Sequence, residues 1–131
     1  MYVPIIQGTL KYAWIKANER YASYTDSLEG NVFAQSVLPM IHHCNEQAAA
    51  TIYEEMKAGT LTSVFANVKQ AFESTYNCLG ITCAQVGGQW DGAVYLDGAE
   101  PCNNISAAYG IGTTQIGFTL MVFTAILSMA M

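Results

Sequence analysis

Charge is what this sequence has least of. Only 11% of its 131 residues are Asp, Glu, Lys or Arg, less than half of the ~25% usual in a soluble domain. A soluble surface normally carries charge to stay dispersed, so part of this chain is expected to face something other than water. The deficit is graded along the sequence. No Lys or Arg follows Lys69 and no acid follows Glu100, which leaves thirty-one residues without a formal side-chain charge. The five basic residues, Lys11, Lys16, Arg20, Lys57 and Lys69, form no cluster, and the net charge is -5. A phosphate backbone needs a basic surface, so no nucleic-acid partner is expected.

Recognised motifs are missing as well. The opening MYVPIIQGTLKYAWIK lacks the basic start and continuous apolar core of a signal peptide. Targeting information is therefore expected to be absent or already removed. No basic residue follows the apolar C-terminal run, as commonly happens after a stop-transfer segment, and this suggests a piece of a longer chain. No nucleophile stands with an identifiable base and oxyanion support, and no cofactor is expected.

What is present begins with that C-terminal run. A helix rises about 1.5 Å per residue and a bilayer core is about 30 Å thick, so ~20 residues span it. Residues 106–131 are long enough, and the favoured reading is a transmembrane helix over 105–131. Ala108 with Gly112, and Thr113 with Gly117, put small residues four apart on one face. An unpaired amide in lipid is costly, so Gly112, Gln115 and Gly117 are expected to face another transmembrane helix. Two competing readings remain. Small residues at Asn104, Ser106, Ala107 and Ala108, a polar spacer and a terminal apolar stretch also fit a glycolipid-anchor signal. A helix buried in a soluble core is the third. Asn104-Ile105-Ser106 is a glycosylation sequon, awkwardly close to a membrane surface.

Residues 1–79 show helical periodicity. Leu10, Trp14, Ala17, Tyr21, Tyr24 and Leu28 are spaced 4-3-4-3-4, which predicts a helix over 7–28 with one apolar stripe. Gly30 is expected to end it in a left-handed stop. Phe33, Val37, Met40 and Cys44 form a second run, with Pro39 expected to kink it or to start a new helix. Ala48, Ile52 (or Tyr53) and Met56 continue an apolar face up to a break at Gly59. Leu61, Val64, Phe65, Val68, Phe72, Tyr76 and Leu79 form the third run, with Lys69 and Glu73 paired opposite. The predicted fold class is therefore mainly α. An amphipathic helical bundle or hairpin occupies 1–79, a small disulfide-bound loop lobe 80–104, and the transmembrane helix 105–131.

Four cysteines, Cys44, Cys78, Cys83 and Cys102, suggest two disulfides in an oxidising compartment. In a hairpin turning at Gly59, Cys44 and Cys78 lie about 6 Å apart in height. A bridge from Cys44 to Cys78 or Cys83 would staple the open end, and Cys102 would take the remaining partner. In the lobe, Asp91-Gly92 and Asp97-Gly98 read as turns, residues 93–96 as a short strand, and Trp90 as the lobe's core rather than a bilayer-interface residue.

Other groups are weaker candidates. His42, His43 and Cys44, with Glu46 and Cys78, contain ligand types for zinc, but neighbours on a helix do not share a face. Surface histidines beside a structural cysteine are the preferred reading. Glu54 and Glu55 read as a solvated helix face. Asp91 and Asp97 lack a calcium-loop pattern. The Cys78 to Cys83 spacing is not that of a redox pair, and Gly110-Ile111-Gly112 has no lysine to serve a phosphate loop.

The functional expectation is a structural or protein-interaction subunit of a membrane assembly, with residues 1–104 extracellular or lumenal. Its partners would be other membrane subunits or a second copy, and the bilayer. The alternatives are a membrane-anchored ligand-binding or receptor domain, with a pocket around Trp90 to Asp97, and a membrane enzyme using His42 and His43.

Overall fold

The computed structural model describes residues 2–19 and 22–103. Six helices make up most of that length: α1 Tyr2–Asn18, α2 Tyr24–Cys44, α3 Glu46–Met56, α4 Phe65–Glu73, α5 Tyr76–Leu79 and α6 Cys83–Val86. The predicted transmembrane helix, with Gly112, Gln115 and Gly117, and the sequon residue Asn104 lie outside the described residues. No helix among the described residues is long and apolar enough to cross a membrane.

The first boundary departs from the periodicity. The predicted helix over 7–28 is divided, because Ser23 caps a new helix. Its hydroxyl accepts from the Asp26 N–H at 3.0 Å, and the Asp26 carboxylate accepts from the Ser23 N–H at 2.8 Å. This reciprocal capping box satisfies two donors at the start of α2. Gly30 is correspondingly not a stop. It lies inside α2 and is buried, with no positive φ. A Cβ there would come within 2.8 Å of Tyr12 Cβ and 2.9 Å of Met56 Cε. Its role is close approach between helices. Gly8 acts likewise on α1, where a Cβ would lie 2.6 Å from the Phe33 ring.

Pro39 lies within α2 rather than at a helix start. The chain breaks six residues later, at Asn45, with extended φ and ψ of -159° and 103°. The Asn45 side chain then accepts from Ala48 N–H at 3.1 Å and caps α3. The predicted break at Gly59 is present, with φ at 89°.

Each helix buries one stripe. α1 packs on α2, α2 on α3, α3 on α4, and α4 back on α1. The ring closes over Ile6, Val37, Ile41, Ile52, Met56, Val68 and Phe72, all fully buried. Burying a side chain of this size stabilises by about 1.5–3 kcal/mol, so this ring is the main source of cohesion. Lys16 adds a polar tie. Its ammonium, almost wholly buried, donates to the Glu55 carbonyl and to Thr60 Oγ1, both at 2.7 Å. A cation is favoured at the carbonyl end of a helix, and here it fixes the α3–α4 connection.

Both disulfides form among the four cysteines. Cys44 pairs with Cys78, with Cα atoms 5.8 Å apart, and closes the open end of the α3–α4 hairpin. Cys83 pairs with Cys102, at 5.1 Å, and ties α6 to the end of the lobe. Cys83, Val86 and Ala99 belong to the same buried cluster as the helical ring, and Gln7 Nε2 donates to the Val86 carbonyl at 2.9 Å.

Inside the lobe, residues 93–96 do not form a strand; the pairing is a single antiparallel bridge between Trp90 and Tyr95. Trp90 is not the lobe's core either. It is 56% exposed. Ala99 and Val86 are the buried residues there, with Leu96 packed against the cluster.

Candidate functional site

α2 carries two stripes, and only one is used by the core. Ser27, Gly30, Ala34, Val37 and Ile41 face inward. Tyr24, Leu28 and Val32, four residues apart, face outward and are 62%, 39% and 64% exposed. Scattered exposed apolar residues are ordinary on a protein surface. Three in register along one helix face form a contiguous patch, which is the informative case.

The same face of α2 continues through Gln35, Pro39 and His42. There it meets α3 in an open groove of ≈ 640 Å³, with Leu38, Pro39, Ala50 and Tyr53 as apolar lining and Gln35, His42 and Gln47 at the edges. Pro39 has no N–H for the Gln35 carbonyl one turn earlier, so a polar backbone group lies at the groove. Tyr53 is 46% exposed. The groove and the Tyr24–Leu28–Val32 stripe lie on one continuous face of α2.

His42 and Glu46 approach to 3.3 Å across the Asn45 break, but their side chains are 61% and 82% exposed. Such a pair contributes ~0–1 kcal/mol. The zinc set is not assembled: the disulfide between Cys44 and Cys78 withdraws both sulfurs from ligation. No group of three His, Cys, Asp or Glu side chains among the described residues could hold a metal ion.

The remaining acids have local duties. Glu54 makes an exposed pair with Lys57 at 2.7 Å. Glu55, read as part of a solvated face, is instead half-buried. Its carboxylate accepts from Val64 N–H at 2.7 Å and from Asn67 Nδ2 at 3.2 Å. Asp91 closes its turn by accepting from Ala93 N–H at 2.8 Å and Val94 N–H at 2.9 Å. Those backbone bonds hold its carboxyl below the usual range. The segment from Trp90 to Asp97, read as a pocket, is a protruding turn: every residue from 90 to 95 is exposed.

Sequence reasoning placed Tyr24 and Leu28 on the core stripe of a first helix and passed over Val32. The signal that finds them is Ser23 with Asp26. Once the helix starts after Ser23, its inward phase is set by Ala34, Val37 and Ile41, and the other stripe must point out. No family model, curated protein or solved structure matches this chain.

Proposed function

We propose that the protein is a non-catalytic structural or protein-interaction subunit of a membrane assembly. The observation that carries this reading is the uncovered stripe of Tyr24, Leu28 and Val32 running into the α2–α3 groove. An apolar face of this kind, rimmed by polar groups, fits a protein neighbour. Another membrane subunit or a second copy of the chain would cover it.

The attachment part of the proposal is supported by the thirty-one uncharged residues that follow Glu100. They are longer than the ~20 residues that a spanning helix needs, with Gly112, Gln115 and Gly117 turned to another helix. A glycolipid replacing the residues after Asn104 would attach the body to the same surface. The two disulfides are consistent with an oxidising compartment, hence with residues 1–104 being extracellular or lumenal, where the Asn104 sequon could be glycosylated.

Native electrophoresis of the full chain extracted in mild detergent tests the assembly. The chain is expected to migrate in a complex, and Val32→Asp is expected to release it while leaving its helical content unchanged. Migration of the unaltered chain as a monomer would overturn the proposal. A membrane-anchored ligand-binding or receptor domain is the second reading, favoured by the groove lined by Leu38, Pro39, Ala50 and Tyr53. Ala50→Trp would fill that groove and abolish capture of a small apolar ligand.

A further inference from the structure

We propose that the turn 89–96 is an interfacial anchor, with Trp90, Val94 and Tyr95 seated at the headgroup level of the bilayer beside the point where the chain enters it. This inference rests on the bilayer attachment proposed above. Three large side chains project from one small turn: Trp90 at 56% exposure, Val94 at 60% and Tyr95 at 42%. Trp90 and Tyr95 meet edge to face, with ring centroids 4.9 Å apart. Trp and Tyr concentrate at membrane–water boundaries because each has an apolar body and one polar tip.

The turn is built to tolerate that position. Four of its backbone amides, those of Asp91, Ala93, Val94 and Leu96, are bonded within it. Leu96 N–H donates to the Gln89 carbonyl at 2.9 Å and Asp91 N–H to the Val94 carbonyl at 3.2 Å. The Asp91 carboxylate accepts from the two amides at the apex. Leaving such groups unpaired near lipid would be costly. The carboxylates of Asp91 and Asp97 limit the depth, keeping the turn in the headgroup layer rather than the hydrocarbon. With no Lys or Arg after Lys69, zwitterionic lipid is the surface that the charge favours.

Location decides the occupant. The base of the turn is joined to the segment leading out of the described structure. Gln89 N–H donates to the Ala99 carbonyl at 2.9 Å, Gly88 lies against that carbonyl and Pro101, and Cys102 is bonded to Cys83. Ser106, the sixth residue of the uncharged segment, is four residues beyond Cys102. Four residues reach at most about 14 Å, and the headgroup layer on each side of a bilayer is about 5–8 Å thick. A chain that enters lipid there holds the turn at its surface.

The test uses the full chain in phosphatidylcholine vesicles, with Trp14→Phe leaving Trp90 as the single tryptophan. Lipids brominated near the glycerol end of the acyl chain quench nearby indoles. The expected result is co-flotation with the vesicles, loss of most Trp90 emission to the brominated lipid, and poor quenching by aqueous acrylamide. Should Trp14→Phe lose its helical signal, the difference between the unaltered chain and Trp90→Phe reads the same indole. Flotation with Trp90 unquenched by lipid and open to acrylamide overturns the anchor and leaves the attachment standing. An indole shielded from both quenchers indicates a protein cover and also overturns it. Failure to float overturns the attachment and the anchor together.

Discussion

Replacing Gly30 with alanine sets two effects of opposite sign against each other. In a helix interior, alanine is favoured over glycine by about 1 kcal/mol, because glycine loses more backbone freedom on folding. Propensity alone therefore predicts stabilisation. Packing predicts the reverse. The new Cβ would lie 2.8 Å from Tyr12 Cβ and 2.9 Å from Met56 Cε, against an optimum of about 3.5–4.0 Å between carbons. The Met56 methyl can swing aside. Tyr12 Cβ moves only with the backbone of α1, and α1 is already in close contact with α2 where Gly8 meets Phe33. Overpacking of this kind costs about 1–3 kcal/mol, so the expected net effect is destabilisation by about 1 kcal/mol. Urea unfolding of the detergent-solubilised chain, followed by far-ultraviolet circular dichroism, reads the change. Gly8→Ala should act in the same direction. The double variant should cost less than the sum, since one separation of the helices relieves both contacts. An unchanged or raised midpoint for Gly30→Ala would refute the packing argument.

Three further outcomes follow from the same structure. The bridges close separations of 34 and 19 residues; on the loop-entropy model, removing them costs about 3.8 and about 3.2 kcal/mol. Denaturation of Cys44→Ala/Cys78→Ala and Cys83→Ala/Cys102→Ala should show the first pair as the more damaging. Lys16→Met keeps the buried stem but loses the bonds to Glu55 and Thr60, a cost of about 1–3 kcal/mol. It should also speed hydrogen exchange at the Thr60 amide, and unchanged exchange would contradict the tie. Alkaline pH should destabilise the fold. The Tyr12 phenol is pushed up to about 12, first by its hydrogen bond to Glu29 and then by burial, and burial raises the Tyr76 phenol well above its ordinary 10.0. With folded values raised, their contribution is complete below pH 10.0 and lost as pH rises through the folded values. Lys16, lowered by burial against the opposing charge of Glu55, acts in the opposite direction, but only up to 10.5. The thermal midpoint should therefore fall above that pH, and a rise there would contradict the assignment.

The helical class was legible because apolar residues recur at helical spacing and because the hairpin about Gly59 needs no distant information. The cysteines were legible in part: Cys44 and Cys78 have comparable reach from the turn at Gly59, which narrowed the partner of Cys44 to Cys78 or Cys83, and the packing chose Cys78. The boundary between α1 and α2 was misplaced because an apolar stripe can run in phase across two helices. Tyr24 and Leu28 continue the spacing of Leu10 and Trp14, yet the Ser23 cap turns them to the outside. Gly30 was taken for a stop because glycine marks both helix ends and close helix crossings, and only the partner, Tyr12, distinguishes the two. Trp90 was assigned to the lobe's core in preference to the bilayer interface. The small Ala99 and Val86 are the buried residues there instead, a fact of tertiary packing that local sequence does not carry. The exposed α2 face was hidden for the related reason that two stripes of one helix look equally apolar until the neighbours are known.

Extraction with alkaline carbonate measures the bilayer attachment on which the functional account depends. Membranes from cells producing the full chain are washed at high pH and pelleted, and the chain is detected by its Cys44–Cys78 disulfide peptide. The account predicts that the chain stays with the lipid pellet and leaves it only when detergent is added. Release of the intact chain into the carbonate supernatant would contradict it.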